Sequence, residues 1–114
     1  MKLKDKVAIV TGSSQGIGRA IALGLAEAGA DLVVNYNQNI EAAKEVAEKI
    51  GMQARRTIVS QGDVSNSEDV RRIVKEAIEA FGKIDILVNN AGIFFTGPIE
   101  EIREIGPSTG RLNK

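Results

Sequence analysis

The chain has 114 residues, a length that fits one domain with its own core. Its 15 basic residues balance 15 acidic ones, so no net charge draws it to nucleic acid or to an anionic membrane. Cysteine and histidine are both absent, which excludes disulfides, thiolate catalysis and the commonest metal ligand and general base, and no metal site is assigned.

The charged start of the chain, residues 1–6, lacks the apolar segment of a signal peptide. No window approaches the ~20 apolar residues of a membrane span. We therefore expect a cytoplasmic protein that does not interact with membranes.

The first strand and helix enclose a glycine-rich segment. The apolar run of residues 7–10 predicts a strand from Lys6 to Gly12 that is buried on both faces. From Gly16 to Ala30 apolar residues recur at helical spacing, and Gly29 is placed to end the helix.

The same alternation of strands and helices continues to residue 88. The expected elements are a strand at 32–34, a helix from Asn39 as N-cap to Gly51, a strand at 54–59, a helix from Ser65 to Gly82, and a strand at 84–88. Ser65 and Glu68 have the spacing of a capping box, which predicts Ser65 as the N-cap of the third helix. The alternation predicts an α/β protein with a parallel sheet and right-handed crossovers.

The segment between the first strand and helix, Thr11 to Gly18, has the composition of a phosphate-binding loop. Its glycines have the spacing Gly-x-x-x-Gly-x-Gly, and no acidic residue lies among them. Backbone N–H groups at a helix start favour a phosphate there. The spacing differs from the general dinucleotide fingerprint Gly-x-Gly-x-x-Gly, and three glycines alone also fit a plain strand–helix connection.

Three motifs together resemble the short-chain dehydrogenase/reductase family. They are the glycine segment, Asp63-Val64 after the third strand, and Asn89-Asn90-Ala91-Gly92 after the fourth. The resemblance runs from about Lys4 to about Ile102, and residues 32–37 and 83–92 are most similar to bacterial 3-oxoacyl-(acyl-carrier-protein) reductases and glucose dehydrogenases. It implies a partial Rossmann fold of about four parallel strands in the order 3-2-1-4, with helices on both faces and the C-terminal half missing. It also implies binding of NAD(P)(H), and in a complete enzyme the reduction of a ketone or oxidation of an alcohol by hydride transfer.

The resemblance also implies which residues meet the cofactor. The glycine segment would wrap the pyrophosphate, Asp63 and Val64 would meet the adenine, and Asn90 would approach a ribose. The assigned residues are Gly12, Ser13, Ser14, Gln15, Gly16, Ile17, Gly18, Tyr36, Asn37, Asp63, Val64, Asn90, Ala91 and Gly92.

The choice between NADP and NAD depends on the end of the second strand. An NAD site usually has a carboxylate there, whereas residues 35–37 are Asn-Tyr-Asn. We therefore expect a slight preference for NADP. The basic residue that many NADP-using relatives carry in the loop corresponds to the neutral Gln15, and Arg19, the nearest cation, reads equally well as a solvated first-turn side chain.

No catalytic residue is assigned. The family uses a serine with a Tyr-x-x-x-Lys pair, but the only tyrosine is Tyr36, and Ile40 follows four residues later. The sequence departs from the family pattern after about residue 102. We expect a dinucleotide-binding half at 1–92, not catalytic in this form, and a tail at 93–114 of irregular structure or short helix.

Other interpretations stay open at this point. The chain could be a non-catalytic nucleotide-binding or interaction module, or a non-functional truncated remnant. If the later strands are missing, the outer edge of the fourth strand is open and apolar side chains on one sheet face are exposed. That arrangement predicts marginal stability, or a homo-oligomer formed through the open sheet edge.

Overall fold

The computed structural model describes residues 2–89 and the strand at residues 92–95. The elements of these residues are β1 (Val7–Val10), α1 (Gly16–Glu27), β2 (Asp31–Tyr36), α2 (Ile40–Gly51), β3 (Thr57–Gln61), α3 (Ser67–Phe81), β4 (Ile86–Asn89) and β5 (Gly92–Phe95). Their order confirms the predicted alternation. Among the strands the largest shift in bounds is in β3, which starts at Thr57 instead of residue 54, and β2 continues through Tyr36.

All five strands form one sheet in the order β3-β2-β1-β4-β5. β1 pairs in parallel with β2 and with β4, and β2 pairs in parallel with β3, which confirms the predicted 3-2-1-4 order. The chain therefore leaves β1 toward one side of the sheet and returns on its other side at β4. In open α/β sheets the crevice at such a reversal, beyond the carboxyl ends of the strands, is where ligands bind.

β5 occupies the outer edge of β4. The two strands are antiparallel, with Ile86 opposite Phe95 and Asn89 opposite Gly92. The expected open edge of the fourth strand is therefore wrong, because the chain itself supplies the hydrogen-bonding partner of β4. Residues 93–95 form a strand where an irregular tail was expected, and the rest of that tail lies outside the described residues.

Strand residues alternate between two helical layers. On one face Ala8, Val10, Leu32, Val34, Ile86 and Val88 pack with buried residues of α1 and α2. On the other face Ile9 and Val33 pack against Ile73 and Ala77 of α3. In residues 2–89 no large apolar strand side chain is exposed, so the expected uncovered sheet face is wrong for this part of the chain, because α3 covers it.

The N-cap of α3 is Asn66 and not Ser65. The Asn66 side chain accepts hydrogen bonds from the backbone N–H groups of Glu68 at 2.9 Å and Asp69 at 3.1 Å. Ser65 instead donates its N–H and its hydroxyl to Asp63 Oδ1, at 2.9 and 2.7 Å. The capping-box prediction is wrong because Asn66 supplies the acceptor for the first-turn N–H groups, while the hydroxyl of Ser65 bonds Asp63.

The other helix ends follow the sequence more closely. Asn39 caps α2 by accepting a hydrogen bond from the N–H of Ala42 at 3.0 Å, as expected. Gly82 ends α3 with a φ of 83°, a left-handed conformation that favours glycine. No helix among the described residues is long and apolar enough to cross a membrane.

The capping assignment can be tested by a pair of substitutions. We expect Asn66→Ala to lower the free energy of unfolding by about 1 kcal/mol, because two N–H groups of the first turn lose their acceptor. Urea denaturation measures the change. Ser65→Ala is the control and should have the smaller effect, since it leaves the cap in place; a larger loss in Ser65→Ala than in Asn66→Ala would contradict the assignment.

Candidate functional site

The segment Thr11–Gly18, here called the glycine loop, carries the chain from β1 into α1 at the carboxyl edge of the sheet. Gly12 and Gly16 have φ angles of 61° and 60°, in the left-handed region. Gln15 is the N-cap of α1, but its side chain makes no capping hydrogen bond within the described structure. The first turn of α1 also contains no acidic residue.

The start of α1 differs from the starts of the other two helices. α2 and α3 are both capped by asparagine side chains, and both have carboxylates in the first turn. Those acceptors and negative charges offset the positive partial charge of a helix N-terminus. Since α1 has neither, its N-terminal end is electrostatically suited to an anion.

Gly18 allows α1 to pack directly on the end of β1. A Cβ atom at this position would clash with the carbonyl oxygen of Gly12 and lie 2.9 Å from its carbonyl carbon. Gly16 has the opposite surroundings, since a Cβ there would meet no atom within 4 Å. Gly18 is thus needed for the contact between α1 and Gly12, while Gly16 leaves open space at the helix start.

The side-chain amide of Asn35, at the end of β2, holds three backbone segments together. Its Oδ1 accepts a hydrogen bond from the N–H of Gly12 at 3.0 Å. Its Nδ2 donates to the carbonyl oxygens of Ser60 at 3.1 Å and Gly62 at 3.2 Å. Asn35 is 2% exposed, so these bonds lie in the interior.

Ser13 also makes its hydrogen bonds inside the protein. Its N–H donates to the carbonyl oxygen of Asn35 at 2.9 Å, and its hydroxyl accepts from the N–H of Asn35 at 3.0 Å. The side chains of Ser13 and Ser14 are buried, whereas Gln15 and Ile17 face solvent. Among the loop residues predicted to meet a cofactor, the structure therefore places Ser13 in a role that fixes the loop.

Thr11 joins the glycine loop to the fourth strand. Its N–H donates to the carbonyl oxygen of Val88 at 2.9 Å, and its hydroxyl donates to the same oxygen at 3.3 Å. Of the predicted residues beyond this strand, Asn90 and Ala91 lie outside the described residues. Gly92 begins β5, next to Asn89 at the end of β4.

Asp63 and Val64 belong to the segment Gly62–Ser65, here called the β3–α3 loop. The N–H of Asp63 donates to Asp69 Oδ2 at 2.9 Å, which ties the loop to α3. The hydrogen bonds from the hydroxyl and the N–H of Ser65 lower the pKa of the exposed Asp63 carboxyl below its ordinary value. Asp63 is therefore an anionic acceptor at neutral pH, and whatever these bonds add to stability is lost as the pH falls through the lowered pKa.

Tyr36 and Asn37 lie between the glycine loop and the β3–α3 loop. Tyr36 is partly buried against the core, and its carbonyl oxygen accepts from the N–H of Gly62 at 2.8 Å. The exposed Asn37 accepts at its carbonyl oxygen from Gln61 Nε2 at 3.0 Å. Arg19 forms an ion pair with Glu45 of α2 at 3.0 Å, so it is not simply a solvated cation.

Sequence reasoning missed the structural part played by Asn35. Asn35 entered the prediction only as part of a segment, residues 35–37, that lacks a carboxylate. The available indication was an amide directly after the apolar run 32–34, because a polar side chain that continues a buried strand must find partners in the interior. Those partners come from two other segments, and only the fold identifies them.

The described residues fit a dinucleotide at the carboxyl edge. Open space at Gly16 and an uncompensated helix start suit the pyrophosphate. An exposed apolar side chain, Ile17 at 77%, and an anionic acceptor, Asp63, stand on the same edge of the sheet.

Comparisons with known proteins agree with this geometry. A family model described as short chain dehydrogenase matches residues 6–105. An uncharacterized oxidoreductase of Methylorubrum extorquens is 46% identical over 103 residues, which cover 90% of this chain and 42% of the relative. The chain spans about two fifths of the length of such curated relatives, 42% of this one and 38% of a hydroxynaphthalene reductase-like protein of Metarhizium anisopliae.

Two solved structures are similar over the same part. A dehydrogenase from Burkholderia cenocepacia with bound NADP has 31% identity and a TM-score of 0.73, over 77% of this chain and 34% of that one. A 7α-hydroxysteroid dehydrogenase in complex with NADH and 7-oxo glycochenodeoxycholic acid has 36% identity and a TM-score of 0.74, with coverage of 77% and 34%.

The packing of α1 on β1 can be tested by two glycine substitutions in the same helix. We expect Gly18→Ala to destabilise the protein by about 1–3 kcal/mol, because the new methyl group overlaps the Gly12 carbonyl. Gly24→Ala is the matched control, since a Cβ there meets nothing within 4 Å, and it should stabilise the helix by about 0.5–1 kcal/mol. Thermal unfolding measures both, and equal effects would contradict the packing argument.

Proposed function

The chain belongs to the short-chain dehydrogenase family, and on that premise we propose that it binds a nicotinamide dinucleotide at the carboxyl edge of its sheet. The observation that carries the proposal is the start of α1, which has no capping side chain, no first-turn acid, and open space at Gly16. Family members solved with NADP and with NADH support it.

Each part of the site would bind a different part of the dinucleotide. The N–H groups at the start of α1 would hold the pyrophosphate, and Ile17 would offer an apolar contact beside it. Asp63 would accept a hydrogen bond from the adenine amino group, with Val64 against the ring. Asn90 would approach a ribose of the cofactor, as the family resemblance implies, with Ala91 and Gly92 next to it in the chain.

We propose a modest preference for NADP over NAD. The end of β2 presents Tyr36 and Asn37, so no carboxylate there repels a 2′-phosphate. The preference is expected to be small because Gln15 is neutral and Arg19 is already paired with Glu45.

The bound nicotinamide would supply or accept the hydride in a ketone–alcohol interconversion carried out by a complete family member. We assign no proton-transfer group to this chain, since Tyr36 lies at the adenosine end and no lysine follows it at the family spacing. Residues 1–92 would form the dinucleotide-binding unit. A cytoplasmic location and self-association stay predictions, and a role as an interaction module unrelated to nucleotides is not favoured.

Titration with reduced dinucleotides tests the proposal. We expect NADPH and NADH fluorescence to change saturably on addition of the folded protein, with NADPH bound a few-fold more tightly. No saturable change with either dinucleotide, in protein shown to be folded by circular dichroism, would refute the proposed function. Tighter binding of NADH would refute only the preference.

A second test separates binding from folding at the start of α1. We expect Ile17→Asp to leave the fold intact or slightly stabilised, because an acid in the first turn complements the helix dipole. The same charge should weaken NADH binding roughly tenfold by repelling the pyrophosphate.

The control for this test is Met52→Asp, which adds a charge at another exposed apolar position, 82% accessible and at the end of α2. It should bind NADH like the unsubstituted protein. Equal affinities of the two variants would place the pyrophosphate elsewhere.

A further inference from the structure

Both polar atoms of the Asn35 side chain form hydrogen bonds inside the protein. Its Oδ1 accepts from the N–H of Gly12, and its Nδ2 donates to the carbonyl oxygens of Ser60 and Gly62. Gly12 belongs to the glycine loop, while Gly62 begins the β3–α3 loop. One buried side chain therefore connects the two loops that form the opposite ends of the proposed site.

We infer that Asn35 is the positioning residue of the dinucleotide site, holding the glycine loop and the β3–α3 loop in fixed register before any ligand arrives. The inference rests on the proposed function and deepens it. Asn35 itself would not touch the ligand, because its polar side-chain atoms are already bonded in the interior.

Only a primary amide satisfies this environment. Gly12 presents a donor, whereas Ser60 and Gly62 present carbonyl acceptors. An ionised aspartate would set a negative oxygen against two carbonyl oxygens, and an apolar side chain would make none of these three hydrogen bonds. Leaving a buried donor or acceptor without a partner typically costs about 1–3 kcal/mol.

The backbone of Asn35 adds a second connection to the glycine loop. Its N–H donates to the Ser13 hydroxyl and its carbonyl accepts from the Ser13 N–H. Two consecutive loop residues, Gly12 and Ser13, are thus fixed by the same residue of β2. A loop held in this way loses little conformational freedom when a ligand binds, which favours affinity.

Asn35→Asp tests the inference, because it keeps the shape of the side chain and changes its hydrogen bonding and its charge. We expect NAD⁺ to bind the variant roughly tenfold more weakly at about pH 8, measured by calorimetry under conditions where circular dichroism shows a folded chain. Burial and the two carbonyls should raise the pKa of the new carboxyl. Affinity should therefore recover toward about pH 5, where the protonated group can again donate to a carbonyl.

Other titratable groups near this network are Glu76, which accepts from the Ser60 hydroxyl at 2.6 Å, Asp63, which follows Gly62, and Tyr36. All three are present in the unsubstituted protein as well.

Asn39→Asp is the matched control: it makes the same chemical change at an exposed N-cap that only accepts a hydrogen bond. NAD⁺ is used so that no 2′-phosphate is close to the added charge.

The outcomes are distinct. Weaker binding that recovers on acidification in Asn35→Asp, but not in Asn39→Asp, supports the inference. Unchanged affinity in Asn35→Asp, or a loss of equal size at every pH, overturns it while the proposed function stands. Failure of the unsubstituted protein to bind refutes the proposed function, and the positioning role with it.

A measurement on the unsubstituted protein covers the case in which Asn35→Asp does not fold. Nuclear magnetic resonance should show the side-chain NH₂ protons of Asn35 exchanging with solvent at least roughly tenfold more slowly than those of the exposed Asn37, without ligand. Equal exchange rates would mean that the loops are not held before binding, which overturns the inference.

Discussion

The close approach of α1 to the end of β1 is the constraint on which the rest of the structure depends. Gly18 lies against the Gly12 carbonyl, with no room for a side chain between them. This contact fixes where the first turn of α1 stands above the sheet. It therefore also fixes where the N–H groups of that turn lie at the carboxyl edge of the sheet.

The three described helices differ in the capping groups and charges at their N-terminal ends. α2 and α3 begin with asparagine caps and have carboxylates in their first turns, which offset the positive partial charge of each helix N-terminus. Of these three helices only α1 lacks both a side-chain cap and a first-turn carboxylate, and its N-terminal end lies at the carboxyl edge of the sheet. A helix whose interior packing is strong, with Gly18, Ala22 and Ala26 buried, can keep such an end, because its stability comes from packing and not from capping.

Local patterns in the sequence were sufficient for most of the fold. Short apolar segments identified β1, β2 and β4, a β-like stretch identified β3, and helical spacing identified all three helices, because these signals reflect burial. β5 was not predictable, since its pairing depends on β4 and not on its own residues. The capping error has a local cause, since the hydroxyl of Ser65 bonds Asp63 and the side chain of Asn66 accepts from the first-turn N–H groups. The glycine loop and Asp63 could be predicted because their chemistry is local, whereas the contribution of Asn35 exists only when three strand ends are brought together.

The hydrogen bonds between Thr11 and Val88 have a consequence for how the chain folds. They join residues 77 positions apart, and β1 is completed on that side only when β4 pairs with it. Long loop closures of this kind slow folding and delay the final ordering of the segments they connect. During synthesis β1, α1 and β2 emerge first, but the loop at the end of β1 can reach its final shape only after residue 88 has left the ribosome. The earliest part of the chain to be made is thus among the last to become ordered, and a nucleotide can stabilise only the sheet in which β4 is already in place.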